Sequence, residues 1–232
     1  YKLFGVSEFS ARFGSVSAGL ILLAATFFFA CRVAGLRTAV VSSLMLGSMP
    51  LFFVPARLTM PDMVFSLCMI LSLYCFYLGW ETPQPAKKTR WFRVFYFFQV
   101  VAVWTKGPLG ILIPVAVAVL SLLRARDRDT LRMLRLGWGV PAVLLASLPW
   151  YLYILFCVDT KTMLGLSAQE TVGRIFGIDR SYEVIYYYVP ALLGGLFPWI
   201  FLIPWAVYKR WRVLPANRLR TFCETWFLFV FV

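Results

Sequence analysis

Eight stretches of this chain contain no Asp, Glu, Lys or Arg, and several are long enough to cross a lipid bilayer. They are residues 13–31, 38–56, 63–80, 94–105, 107–123, 136–158, 184–208 and 225–232. A helix rises about 1.5 Å per residue, so about 20 residues span a hydrocarbon core of about 30 Å. This pattern predicts apolar helices that cross a membrane rather than a water-soluble domain.

The composition supports the same class of protein. The 232 residues are 61% hydrophobic and 14% charged, with a mean hydropathy of +0.79. Soluble domains carry about a quarter charged residues, and disordered chains are poor in aromatic residues, which make up 18% here. We therefore predict an all-α, polytopic membrane protein with about seven to eight transmembrane helices in the chain.

Missing residue types exclude several chemistries. The chain has no histidine, which excludes a Ser-His-Asp triad, a Cys-His nucleophile pair and a His-ligated metal site within it. Its five cysteines form no CxxC pair and lie mostly in apolar runs, as small buried residues do. The net charge of +13 lies in short loops beside the predicted spans, so we predict no nucleic-acid partner.

The stretches 94–105 and 107–123 are separated only by Lys106, and charge distribution decides whether they form one helix or two. Treated as two spans, they place 16 of the 23 basic residues on one side of the membrane, as the positive-inside rule requires of the cytoplasmic side. One fused helix would destroy that asymmetry. We therefore predict a turn at Lys106 on the non-cytoplasmic side, where Gly107 and Pro108 favour a helix break.

This topology gathers the unusual polar residues on the non-cytoplasmic side. They are Arg57, Asp62, Lys106 and the long loop 159–183, which carries Glu170 and Arg174. Cationic side chains bind phosphate, and a carboxylate supports an acceptor or acts as a base. The combination is typical of a site for a lipid-linked phosphate.

Each of these residues also has a structural interpretation. Asp62 follows Pro61 at the start of a span and could cap a helix, while Arg57 could extend its charge to lipid headgroups. Lys106 is harder to explain structurally, because an ionisable residue between apolar spans is costly. A functional role for Lys106 is therefore the favoured interpretation.

Several segments resemble the bacterial polyprenyl-phosphate-sugar glycosyltransferases of the C superfamily, the group of the aminoarabinose transferases and protein O-mannosyltransferase-like enzymes. The matching segments are 3–12 (LFGVSEFSAR), 56–63 (ARLTMPDM), 105–108 (TKGP), 169–174 (QETVGR), 186–190 (YYYVP) and 196–199 (LFPW). They occur in the order of the family, and the resemblance extends over essentially the whole chain.

The resemblance implies an enzyme of the inner membrane that moves a sugar from undecaprenyl phosphate to a lipid A-like glycolipid or a protein on the non-cytoplasmic side. Lys106 and Arg174, with Arg57, would hold the carrier phosphate. Asp62 would support the acceptor or a metal, and Glu170 is a further catalytic candidate. The expected partners are the polyprenyl-linked sugar, the acceptor and membrane lipids.

The chain departs from the family pattern at Glu170, where many relatives have His or Asn. A carboxylate there would repel phosphate unless it is protonated or binds a cation, so a divalent cation is an open alternative to the absence of any cofactor. The family's leading catalytic acid precedes the segment matching Leu3. We interpret residues 1–232 as one transmembrane domain truncated at both ends, with the loop 159–183 inside it.

Two other classes of function remain open from the sequence. A transporter or lipid flippase would also have a broken helix and charges at mid-chain, although no internal repeat is visible. An inactive membrane scaffold is the second alternative, and the substitution at Glu170 fits it.

Overall fold

A computed structural model describes residues 7–157, 190, 192–212 and 217–231. Its α-helices are α1 (Glu8–Ala34), α2 (Leu36–Ser48), α3 (Pro50–Arg57), α4 (Asp62–Glu81), α5 (Pro85–Lys106), α6 (Leu109–Arg124), α7 (Arg128–Leu134), α8 (Leu136–Cys157), α9 (Ile203–Arg212) and α10 (Arg218–Phe231). A short 3₁₀ helix, Trp199–Leu202, precedes α9. The described residues contain no strand, and the predicted all-α class is confirmed.

Local sequence signals set both ends of α1. The Ser7 hydroxyl accepts a hydrogen bond from the Ser10 N–H at 3.2 Å, and the Ser10 hydroxyl accepts one from the Ser7 N–H at 3.3 Å. This reciprocal capping satisfies backbone donors that a helix start otherwise leaves free. The helix ends at Gly35, whose φ of 87° suits a residue without a side chain.

The stretch 38–56, which the sequence predicts as one span, is bent in the structure. Helices α2 and α3 meet at an angle of 60° around Met49 and Pro50. Proline cannot donate the backbone hydrogen bond of a continuing helix and keeps the preceding residue extended, as the φ of −72° and ψ of 128° at Met49 show. The stretch can still form one span, but as two short helices rather than one continuous helix.

Helices α4, α5, α6 and α10 surround the largest buried cluster. Its centre is aromatic, with Phe76, Trp80, Phe95 and Phe222 fully buried. The Phe76 ring lies within 6.3 Å, centroid to centroid, of the rings of Trp80, Phe92, Phe95 and Phe222. This packing holds the long antiparallel pair α4–α5 in a fixed relation to α6.

The predicted break near Lys106 is confirmed, since α5 ends at Lys106 and α6 begins at Leu109. Gly107 makes the turn with a φ of 91°. One turn later, a Cβ added to Gly110 would lie 2.8 Å from backbone atoms of Ala102 and Val103. Glycine at position 110 therefore lets α5 and α6 pack at very short distance.

Three helical segments of the described part are long and apolar enough to cross a membrane. They are Ser10–Ala34, Asp62–Glu81 and Arg128–Tyr153. The bent pair α2–α3 would make a fourth, and α6 is apolar but has only 16 residues. The count of seven to eight transmembrane helices stays a prediction, because part of the stretch 184–208 lies outside the described residues.

Candidate functional site

An ion pair joins Asp62, at the start of α4, to Lys106, at the end of α5. The Lys106 ammonium donates a hydrogen bond to Asp62 Oδ1 at 2.7 Å. The two side chains keep 39% and 44% of their surface exposed, so the pair is accessible. The Lys106 nitrogen also lies 5.8 Å from the centre of the Phe65 ring. A cation, a carboxylate and an aromatic face thus meet at one end of the helix pair.

The helix ends themselves favour these charges. Asp62 lies in the first turn of α4, where the helix dipole is positive, and Lys106 lies in the last turn of α5, where it is negative. Each charge is therefore stabilised by its own helix as well as by its partner. The N-cap residue of α4 is Pro61, and α4 has no side-chain capping hydrogen bond, so the structure supports the interaction of Asp62 with the helix dipole but not the capping role.

A buried polar contact fixes the register that brings the two residues together. The Ser72 hydroxyl of α4 donates to the Phe95 carbonyl of α5 at 3.0 Å and accepts from the Gln99 amide at 3.4 Å. Both polar side chains are fully buried. Sequence reasoning missed this contact, and its only signal was a glutamine inside the charge-free stretch 94–105.

Arg57, which the resemblance assigns to the carrier phosphate, makes different contacts. Its guanidinium lies 4.0 Å from the centre of the Phe53 ring. The side chain lines a cavity with Glu8 and Arg12, which form an ion pair at 2.6 Å. Among the contacts of the described residues, none joins Arg57 to Asp62 or Lys106.

A second group of charged residues lies at the opposite end of α4. The buried Trp80 indole donates to Asp127 at 3.0 Å, and Lys88 donates to Thr130 at 3.1 Å. The guanidinium of Arg218 lies 3.9 Å from Asp127. All of these residues belong to the side that the charge pattern predicts as cytoplasmic, so the fold separates the two predicted sets.

Glu170 and Arg174 lie outside the described residues, as does the whole loop 159–183. Their predicted places in the site stay predictions. Within the described part, no group of three or more His, Cys, Asp or Glu side chains could hold a metal ion.

The helices, their apolar surfaces and the exposed ion pair define a polytopic all-α membrane protein. Residues 1–153 match the sequence profile of a family described as dolichyl-phosphate-mannose-protein mannosyltransferase, and the chain belongs to that family. The resemblance to a glycosyltransferase family drawn from the sequence is confirmed.

Individual relatives match the chain over nearly its whole length. An uncharacterized protein of Aquifex aeolicus is 30% identical over 100% of the chain and 45% of its own length. An undecaprenyl phosphate-alpha-4-amino-4-deoxy-L-arabinose arabinosyl transferase of Proteus mirabilis is 31% identical over 99% of the chain and 42% of its own length. The chain thus spans less than half the length of these relatives.

A solved structure shares this helical fold. The crystal structure of ArnT from Cupriavidus metallidurans bound to undecaprenyl phosphate superimposes with a TM-score of 0.81 at 28% sequence identity. The superposition covers 100% of this chain and 42% of that protein. The similarity therefore includes the arrangement of the helices and not only their apolar sequence.

Proposed function

We propose that the full-length protein transfers a sugar from an undecaprenyl-phosphate carrier to a lipid A-like glycolipid. The main support for this proposal is the exposed Lys106–Asp62 ion pair. It lies at one end of a fold that the chain shares with a structure bound to undecaprenyl phosphate. The names of curated relatives support a pentosyl donor, since they are aminoarabinose transferases that use undecaprenyl phosphate.

Lys106 has the charge and position that such a transfer needs. The bond between the sugar's anomeric carbon and the carrier's phosphate oxygen breaks, and the acceptor oxygen bonds to that carbon. The acceptor's proton passes to a base, and the carrier leaves with the bonding electrons as a phosphate monoester. Because negative charge grows on the phosphate, a cation placed there stabilises the transition state more than the ground state.

Asp62 keeps the Lys106 side chain directed toward the site. A lysine side chain has many rotamers, and the 2.7 Å hydrogen bond selects among them. When the phosphate binds, the ammonium still has two further hydrogens to donate. Asp62 is therefore a positioning residue in this proposal, and its exposed carboxylate is also assigned to the support of the acceptor.

Arg174 and Glu170 complete the proposed site from the loop 159–183. A guanidinium binds two phosphate oxygens at once, so Arg174 would grip the carrier phosphate beside Lys106. Glu170 would act as a catalytic carboxylate, or would hold a divalent cation that offsets its repulsion of the phosphate. We place the site on the non-cytoplasmic side of the inner membrane.

The names of the family and of the relatives point to two kinds of acceptor. The family description names a protein mannosyltransferase, whereas curated relatives are named as arabinosyl transferases. Supplying lipid A and a hydroxyl-rich peptide in parallel reactions distinguishes the two acceptors. Label in the lipid fraction alone supports the glycolipid, and label in the peptide alone rejects it.

The test is sugar transfer by membranes that carry the full-length protein, from a labelled undecaprenyl-phosphate sugar. We expect Lys106→Ala to lower the rate by about 10²-fold or more, the usual cost of losing one preorganised group that stabilises developing charge. Lys106→Arg should retain part of the rate, because it keeps the charge. Arg174→Ala should behave as Lys106→Ala does.

Lys87 offers a matched control, since it is an exposed lysine at the opposite end of the helices. We expect Lys87→Ala to transfer sugar at the wild-type rate. Equal rates in all four variants at equal expression would reject the proposed site. Transport of the lipid-linked sugar without any transfer would support a flippase instead.

Orientation is tested separately with a membrane-impermeant thiol reagent. Met60 and Arg126 are exposed and lie at opposite ends of the helices. We expect a cysteine at position 60 to react from the non-cytoplasmic side and one at position 126 only after the membrane is opened. The reverse pattern would place the ion pair in the cytoplasm and contradict the proposal.

A further inference from the structure

Two neighbouring cavities along α1 and α3 share two lining residues, and the two cavities together are called the groove. The first has a volume of about 380 Å³ and is lined by Glu8, Arg12, Phe13, Val16 and Arg57. The second, of about 310 Å³, is lined by Val16, Gly19, Leu20, Leu23, Gly47, Phe52, Phe53, Ala56 and Arg57. Val16 and Arg57 border both. The groove therefore has a charged end and an apolar body.

The charged end carries excess positive charge. Glu8 pairs with Arg12 at 2.6 Å, whereas Arg57 has no carboxylate partner in the part of the chain that the structure describes. The guanidinium of Arg57 lies instead against the Phe53 ring at 4.0 Å. A stacked guanidinium keeps its N–H donors free for other partners, and two guanidinium groups beside one cavity suit a phosphate.

The apolar body is shaped for a hydrocarbon chain. Gly19 and Gly47 contribute no side chains to its walls, and a Cβ at Gly47 would meet only the Leu23 side chain, at 3.4 and 3.8 Å. Leu20 and Phe53 line the body and remain exposed. In a membrane protein, apolar side chains exposed along a span face lipid, so this body is open to acyl chains.

The groove and the ion pair lie on different helix pairs. The groove runs between α1 and the bent pair α2–α3, while Lys106 and Asp62 join α5 to α4. Met63 and Leu67 of α4 are buried against Ala18 and Leu22 of α1. An occupant of the groove is thus held by residues other than those of the proposed carrier site.

We propose that this groove binds an anionic membrane phospholipid, with its phosphate between Arg12 and Arg57 and one acyl chain along the apolar body. This assigns Arg57 to a lipid other than the sugar carrier. The inference does not depend on the proposed sugar transfer, because it uses neither Lys106 nor Asp62.

The test is native mass spectrometry of the delipidated full-length protein, titrated with phosphatidylglycerol or with phosphatidylcholine of the same acyl chains. We expect the wild type to prefer phosphatidylglycerol by about tenfold, the effect of one additional charge-assisted hydrogen bond. The double variant Arg12→Gln, Arg57→Gln should lose that preference.

The matched control is the double variant Arg37→Gln, Arg90→Gln, which removes two exposed arginines elsewhere. It should keep the preference, since neither arginine lines the groove. Equal binding of the two lipids by the wild type would overturn the proposal. An equal loss in both double variants would also overturn it, because the effect would then be one of net charge alone.

Further measurements distinguish a phospholipid from other phosphate-bearing ligands of the groove. Gly47→Leu fills the apolar body and should lower phosphatidylglycerol binding about tenfold, whereas inorganic phosphate at the same concentration should not displace the lipid. Undecaprenyl phosphate should not displace it either. Displacement by undecaprenyl phosphate would assign the groove to the sugar carrier and overturn the proposal. Displacement by inorganic phosphate would show that the acyl chain contributes nothing to binding, which would also overturn it.

Discussion

Lys106 donates a hydrogen bond to Asp62 at 2.7 Å, although 44 positions of the chain separate them. The contact exists because α4 and α5 are antiparallel and place the first turn of one beside the last turn of the other. Both side chains remain about two-fifths exposed. An accessible pair of this kind contributes little to folding and keeps a charge available for a ligand.

The first prediction separates the contribution of the ion pair to sugar transfer from its contribution to stability. Asp62→Asn should lower sugar transfer at least tenfold, because the amide holds the Lys106 ammonium less firmly and can turn a donor toward it. The free energy of unfolding should change by at most about 1 kcal/mol, the usual range for exposed ion pairs. Transfer assays and thermal unfolding of the same purified variant measure both quantities.

Glu8→Gln is a suitable control, because it removes a carboxylate from another exposed ion pair at the same end. It should affect neither transfer nor stability appreciably. A stability loss in Asp62→Asn as large as its loss of activity would instead make the pair a structural element.

The second prediction concerns the close packing of α5 and α6. Gly110→Leu should destabilise the protein by about 1–3 kcal/mol or more, because even a Cβ would lie 2.8 Å from the backbone of Ala102 and Val103. Gly137→Ala is the control, since nothing lies within 4 Å of a Cβ there and alanine favours helix. Thermal unfolding in detergent measures both, and equal stability of both variants would contradict the packing.

Charge patterns allowed much of this arrangement to be predicted from the sequence. The break at Lys106 follows from the distribution of arginines and from Gly107 and Pro108, which act locally and are visible in the chain. The charge pattern also placed Lys106 and Asp62 on one side of the membrane, but their contact depends on the packing register of α4 and α5. Membrane chains are favourable cases because the bilayer restricts the possible folds so strongly.

Features that depend on packing could not be predicted in the same way. A bend between α2 and α3 needs knowledge of what each helix contacts, because proline is tolerated in many transmembrane helices. The partners of Gln99 and Trp80 lie 27 and 47 positions away, and no pattern in the chain connects them. Arg57 was assigned to the carrier phosphate by its motif, whereas its contacts depend on α1 and Phe53.

The third prediction tests the buried contact that fixes the register of α4 and α5. Ser72→Ala should cost about 0.6–1.7 kcal/mol, the measured range for polar contacts between membrane helices, because the Gln99 amide loses its partner. Adding Gln99→Leu should recover part of this cost, because the buried amide and its unpaired Oε1 are removed together. If the double variant is no more stable than Ser72→Ala, or if its loss of stability is the sum of the losses in the two single variants, Ser72 and Gln99 are not coupled.

The fourth prediction uses the pH dependence of Asp127, in the turn that precedes α7. Burial acts to raise the pKa of this carboxyl, but hydrogen bonds from the Thr130 N–H, the Trp80 indole and the Thr130 hydroxyl, with the charge of Lys88, together lower the pKa below its usual value. The folded state therefore binds this proton less readily than the unfolded state does. Its stabilising effect is complete above the unfolded pKa of about 3.9 and is lost as the pH falls through the folded value.

Asp127→Asn should accordingly lower the thermal unfolding temperature at neutral pH and make it less sensitive to acid. The difference between wild type and variant should stay constant from about pH 7 to about pH 5 and shrink below about pH 4. Asp129→Asn is the control, because Asp129 is exposed in the first turn of α7. A constant difference across the whole range would show that the asparagine disturbs packing around Trp80 rather than removing a carboxylate held by hydrogen bonds.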